Sequence, residues 1–229
     1  MVTRTKKFSV GVGLALIVGM AIFPGSPAWA ASPEEQQGTV DKALATFEAF
    51  IAKKARFRDN VKDAKALLIV PTLIKAGIIL GGSGGSGVLV AWNESAEEWS
   101  QPAFYSVRSV GFGLQVGGEA AEVIMIIWTQ QALDALYRNM FKVGGDASVA
   151  AGPLGVGTQW EVSGDVLSFA KCRGLFAGLH YDGSMVRVDD DSNKAYYGKA
   201  VNSGDIIVKN AVSNPGSAKL REVLRRAVR

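Results

Sequence analysis

Few residues in this chain have the types and spacing that chemistry requires. The stretch GGSGGSG, Gly81 to Gly87, contains a literal G-x-G-x-x-G at Gly82, Gly84 and Gly87. Such glycines hold a pyrophosphate only when a helix N-terminus follows them. Here VLVAW follows, which favours a strand, and no Gly-Lys-Ser/Thr ending marks a P-loop. The expectation is a hairpin connection that needs positive φ. Asp189, Asp191 and Asn193 imitate the start of a calcium loop. Lys194 stands where its glycine belongs and Ala200 where its glutamate belongs. These acids therefore read as a solvated turn or helix cap. Glu94, Glu97 and Glu98 lack a proton-transfer partner and read as a solvated loop. The single histidine, His180, and single cysteine, Cys172, leave little material for a transition-metal site and none for an intramolecular disulfide. Both read as structural strand residues. Trp99, Phe104, Trp128, Trp160, Tyr196 and Tyr197 can wall a ligand or fill a core, and core is the commoner fate. No catalytic set, cofactor or metal site is expected, and an enzyme is the least supported class.

Charge adds a second exclusion. Residues 1–30 read as a secretory signal peptide. Arg4, Lys6 and Lys7 are followed by the uncharged apolar run Val10 to Phe23, then Pro24-Gly25-Ser26-Pro27 and an A-x-A site at Ala28-Trp29-Ala30. The chain has 25 basic and 21 acidic residues, and the leader removes three basic ones, leaving 22 against 21. A net charge of +1 gives no ground for a nucleic-acid partner. Residues 31–229 then form a single domain, expected in the periplasm or secreted.

The elements follow from periodicity. Ser32, Pro33 and Glu35 open a helix with a capping box and proline at its first position. Its apolar face is Val40, Ala43, Leu44, Phe47, Phe50, Ile51 and Phe57, and it runs to about Asn60. Strands are predicted over 66–71, 74–80, 88–92, 110–118, 123–128, 166–171, 175–181 and 184–188. Pro71 is expected to end the first of them. Thr129 caps a short helix, and Ser217 to Arg229 forms a C-terminal one with Leu220, Val223, Leu224 and Val228 on one face. Strands linked mostly as hairpins predict α+β, a glycine-rich, largely antiparallel, curved or barrel-like sheet with flanking amphipathic helices.

The N-terminal helix carries the sharpest candidate. Phe47, Phe50 and Phe57 lie beside Lys53, Lys54, Arg56 and Arg58. Such a helix can lie on a membrane, rings in the acyl boundary and cations at anionic headgroups. It can equally pack on the sheet with its charges in water, and composition alone favours that.

Several motifs occur in a telling order. AKALLIVPTLIKAGIILGGSGGSGVLV precedes WSQPAFYSV, GLQVGGEAAEVIMIIW, GGDASVAAGPLG and SFAKCRGLFAGLHYDGSMVRVDDDSNKAYYG. From Phe47 to Gly198 the chain resembles the SYLF lipid-binding domain. Trp99, Ser100, Pro102 and Phe104 match its W-S-x-P-x-F mark, and Gly174 to Gly178 its G-L-F-A-G mark. The resemblance implies a non-enzymatic domain that binds phosphoinositides or other anionic lipids, with an N-terminal amphipathic helix in the contact. It turns the balance toward membrane contact through Phe47, Phe50, Phe57, Lys53, Lys54, Arg56 and Arg58. In an envelope the lipids would be phosphatidylglycerol, cardiolipin or lipopolysaccharide. Some eukaryotic members bind actin; for an exported chain actin binding is not expected. The alternatives are an envelope structural or protein-interaction module, and a carrier of lipid or another small molecule in an internal cavity.

Overall fold

Alternating apolar residues build a sheet with a hydrophobic layer on each face. The computed structural model describes residues 31–53, 55–77, 80–112, 117–137, 140–142, 149–151, 164–173 and 184–228. Residues 31–229 cluster into one compact unit. Helices α1 (Pro33–Lys53) and α2 (Ala55–Lys62) precede strands β1 (Ala66–Gly77), β2 (Leu80–Asn93), β3 (Glu98–Trp99), β4 (Ala103–Phe112) and β5 (Gly117–Ile127). Then come α3 (Gln130–Tyr137), β6 (Met140–Lys142), β7 (Val149–Ala151), β8 (Val166–Arg173) and β9 (Ser184–Val188). The chain ends with α4 (Asp190–Tyr197), α5 (Ser203–Ile207), a 3-10 turn at Pro215–Ser217 and α6 (Ala218–Val228).

The strand order is β6-β9-β4-β2-β1-β5-β8-β7, with β3 paired to β2 alone. Every pairing is antiparallel except β7 with β8. The mixed class and antiparallel sheet match the expectation. The barrel-like alternative does not hold, because among the described residues no ladder joins the β6 and β7 edges. One face carries Leu68, Val70, Leu89, Tyr105, Val123, Met125 and Val186 under α3 and α5. The other carries Leu67, Ile69, Val88, Val90, Ile124, Ile126 and Phe169 under α1, α2, α4 and α6.

Two local expectations fail for one shared reason. Pro71 does not end β1. One extra β1 residue sits between the pairs Ile69–Val88 and Thr72–Ser86, and the same shift appears against β5. Proline removes a ladder donor, and a bulge is where a central strand tolerates that loss. Opposite the bulge lies GGSGGSG, inside β2 rather than in a turn. Gly198 is the only glycine of positive φ among the described residues. Space, not turn geometry, accounts for two of these glycines. A Cβ on Gly85 would lie 2.3 Å from the Thr72 carbonyl oxygen, and one on Gly87 2.3 Å from that of Ile69.

Helix ends follow their caps. Ser32 Oγ accepts from Glu35 N at 3.1 Å, and Thr129 Oγ1 from Ala132 N at 3.2 Å. Asp189 caps α4 by accepting from Ser192 N at 3.1 Å, as a cap reading of these acids requires. The N-terminal helix is two helices, and Lys54 between them lies outside the described residues. The short α5, with an Asn202–Asp205 capping box, was not predicted. The predicted strand 110–118 divides between the end of β4 and the start of β5. The strand 175–181, the G-L-F-A-G mark, Trp160 and His180 lie outside the described residues. The W-S-x-P-x-F residues are framework. Trp99 and Phe104 are buried, Ser100 Oγ accepts from Ala91 N at 3.0 Å, and the Pro102 carbonyl accepts from Tyr197 Oη at 2.6 Å.

These tyrosines set an alkaline limit. Burial raises Tyr137 and Tyr196 to about 12 from 10.0, and raises Tyr105 and Tyr197 further. In the unfolded chain the phenols ionise near 10, while in the fold they keep their protons. Stability is thus fully present below about pH 10 and is lost as pH rises toward the folded values. Urea unfolding midpoints at stepped alkaline pH should fall over that window, in step with tyrosinate absorbance. A flat midpoint through it would contradict the burial.

Candidate functional site

The predicted lipid-contact residues separate into two groups. Phe47 and Phe57 are 0 % exposed and Phe50 is 2 % exposed. Their rings meet one another and Phe169 of β8, with centroids 5.7 Å (Phe47–Phe57), 5.5 Å (Phe50–Phe57) and 5.2 Å (Phe57–Phe169) apart. This corrects the expected insertion face. The apolar stripe of α1 and α2 is spent on the sheet, leaving none of the three rings at the surface. Arg58 is exposed, and its Nη2 donates to the Ile51 carbonyl at 3.3 Å near the end of α1. Lys54 and the side chains of Lys53 and Arg56 lie outside the described residues.

A different surface gathers exposed apolar and cationic groups. Among the described residues the helices cover only part of their face of the sheet and leave the rest bare. There the register aligns Ala120, Ile74, Gly84, Arg108, Met185 and Lys142 in one cross-strand row. The next row holds Thr72, Ser86, Ser106 and Arg187. Paired residues share a face, so these side chains project together. Ile74 is 57 % exposed and Met185 40 % exposed, unusual for large apolar side chains in a sheet. Arg108 and Arg187 are exposed and make no hydrogen bond or ion pair among the described residues. They are diagonal neighbours on β4 and β9, with Cβ atoms about 7 Å apart by strand geometry.

Two hollows flank this bare face, both open at the surface. One, of about 430 Å³, lies where α1 overhangs β1, β5 and β8. In it Lys171 Nζ donates to the nearly buried Glu122 Oε2 at 2.8 Å, with Lys42 of α1 beside them. The other, of about 510 Å³, lies at the junction of β9 and α4. Ser106, Arg108, Met185 and Arg187 line one part, Asp190 and Asp191 another. Among the described residues, no three histidine, cysteine or carboxylate side chains cluster to hold a metal ion. No helix among them is long and apolar enough to cross a membrane.

Sequence reasoning missed this face. Its local signal is a period of two in FYSVRSV and SMVRV, which puts Ser106 with Arg108 and Met185 with Arg187. That period cannot say that strands about eighty residues apart are neighbours.

The fold is an open, largely antiparallel sheet with helices on both faces, one of them half-covered among the described residues. The family described as "Las17-binding protein actin regulator", Ysc84, matches residues 108–227. This chain belongs to that family, the one that contains the SYLF domain. It is similar to LAS seventeen-binding protein 3 of Saccharomyces cerevisiae, 34 % identical over 168 residues, 69 % of this chain and 36 % of the relative. It is also similar to the human SH3 domain-containing YSC84-like protein 1, 30 % identical over 169 residues, 72 % of this chain and 49 % of the relative. Protein YSC84 of Saccharomyces cerevisiae is 29 % identical over 206 residues, 84 % of this chain and 44 % of the relative. The chain thus spans less than half the length of these curated relatives. No solved structure matches it. One expectation is overturned here. Actin cannot be set aside as a partner, because the family itself is described as an actin regulator.

Proposed function

We propose that this chain is a non-enzymatic module that docks on anionic phospholipid through the bare half of its sheet. Export by residues 1–30 would place it in the cell envelope, peripheral to a membrane. The observation that carries the proposal is the diagonal pair Arg108 and Arg187, exposed and unpaired among the described residues, with Arg108 in register with exposed Ile74 and Met185. Cations beside apolar groups suit an interface where headgroups are anionic and the layer below is greasy. Guanidinium forks also match phosphate geometry.

Vesicle co-sedimentation tests it. Binding should rise with phosphatidylglycerol content, fall with salt, and be weak on phosphatidylcholine alone. R108E/R187E should weaken it about thirtyfold or more, two contributions of about 1 kcal/mol each. A folded double variant that binds as the parent does would end the proposal. A second reading comes from the family description: contact with the actin machinery, tested by co-sedimentation with filamentous actin.

A further inference from the structure

The hollow at the β9–α4 junction is lined by Asp189, which caps α4 through Ser192 N, and by four further charges that do not pair with one another. Arg108 and Arg187 lie on the strands, Asp190 and Asp191 on the first turn of α4. All four are exposed, and none makes an ion pair among the described residues. The helix dipole favours acids at that turn but does not neutralise them. On a purely anionic surface the aspartates oppose part of what the arginines contribute. A ligand carrying both signs uses all four groups.

We infer that this hollow is a headgroup site for an aminophospholipid. Arg108 and Arg187, a diagonal pair with the Ser106 hydroxyl beside them, take the phosphate. Asp190 and Asp191 take the primary ammonium two carbons away. Met185, which lines the hollow and is 40 % exposed, meets the start of the acyl region. A volume of about 510 Å³ exceeds that of one such headgroup and leaves room for water at the charges. Asp189 also lines the hollow, and one of its carboxylate oxygens accepts from Ser192 N to cap α4. Selectivity follows from hydrogen bonding. A primary ammonium donates to carboxylates, whereas the quaternary ammonium of phosphatidylcholine has no proton to donate.

This inference rests on the sheet face meeting a phospholipid bilayer, so the experiment separates the two. The full chain is sedimented with vesicles of fixed phosphatidylglycerol content in which phosphatidylcholine is replaced stepwise by phosphatidylethanolamine. Surface charge then stays constant. Binding should rise about threefold, as expected for two exposed charge contacts. D190N/D191N should lose that rise while keeping the dependence on phosphatidylglycerol, and its urea midpoint shows whether it is folded. Glycerophosphoethanolamine should compete in the parent and not in the variant. A parent without the rise, or a folded variant that keeps it, overturns the headgroup site and leaves the anionic-surface proposal standing. A rise that D190N/D191N abolishes, in a protein indifferent to phosphatidylglycerol, would instead sink the anionic-surface proposal and keep the site.

Discussion

Phe57→Ala is expected to destabilise the domain by about 3–5 kcal/mol, the usual cost of emptying a phenylalanine site in a packed core. The ring is 0 % exposed and touches Phe47, Phe50 and Phe169, so α1, α2 and β8 lose a shared neighbour at once. Against a typical stability of about 5–15 kcal/mol this is a large share. Urea denaturation followed by circular dichroism reads it. Phe57→Leu keeps most of the volume and should cost under about 1.5–2 kcal/mol. Vesicle affinity, measured where each variant is folded, should stay at the parental value. A loss below about 1 kcal/mol together with abolished vesicle binding would restore the ring to the membrane.

The second large effect concerns the glycines of β2. Gly87→Ala should cost about 3 kcal/mol or more, since its Cβ would fall 2.3 Å from the Ile69 carbonyl oxygen. That atom is backbone in the central strand β1, beside the bulge at Pro71, so nothing cheap can move. Gly84→Ala is the control. Nothing lies within 4 Å of its added Cβ, and the effect should stay within about 0.5 kcal/mol. The two glycines are three residues apart in one strand, so strand propensity predicts similar outcomes and the bulge predicts opposite ones. Equal urea midpoints for the two variants would refute the account of why GGSGGSG is glycine-rich.

Some of this was legible without coordinates. Ser32 and Thr129 name their helix starts because a cap is a contact across three residues. VIMIIW names a strand as an apolar run of strand length, and SMVRV as a short run after a hairpin turn signal. The W-S-x-P-x-F mark was legible because it is framework. Ser100 and Tyr197 tie W-S-x-P-x-F to its neighbours through fixed hydrogen bonds.

The site was not legible, for two reasons. A helix that faces a core and one that faces a bilayer show the same apolar stripe, so Phe47, Phe50 and Phe57 could not reveal their partner. The partner is Phe169, more than a hundred residues away. The bare face, in turn, is made by strand order. Arg108 and Arg187 become neighbours only because β9 pairs with β4 and not with β8, which precedes it in sequence. The sequence by itself determined the local elements, their caps and the family, since each depends on side chains close along the chain. Only the tertiary structure decided which apolar stripe is buried and which cations stand together. Those depend on long-range pairing, in which each strand's address is set by the whole sheet.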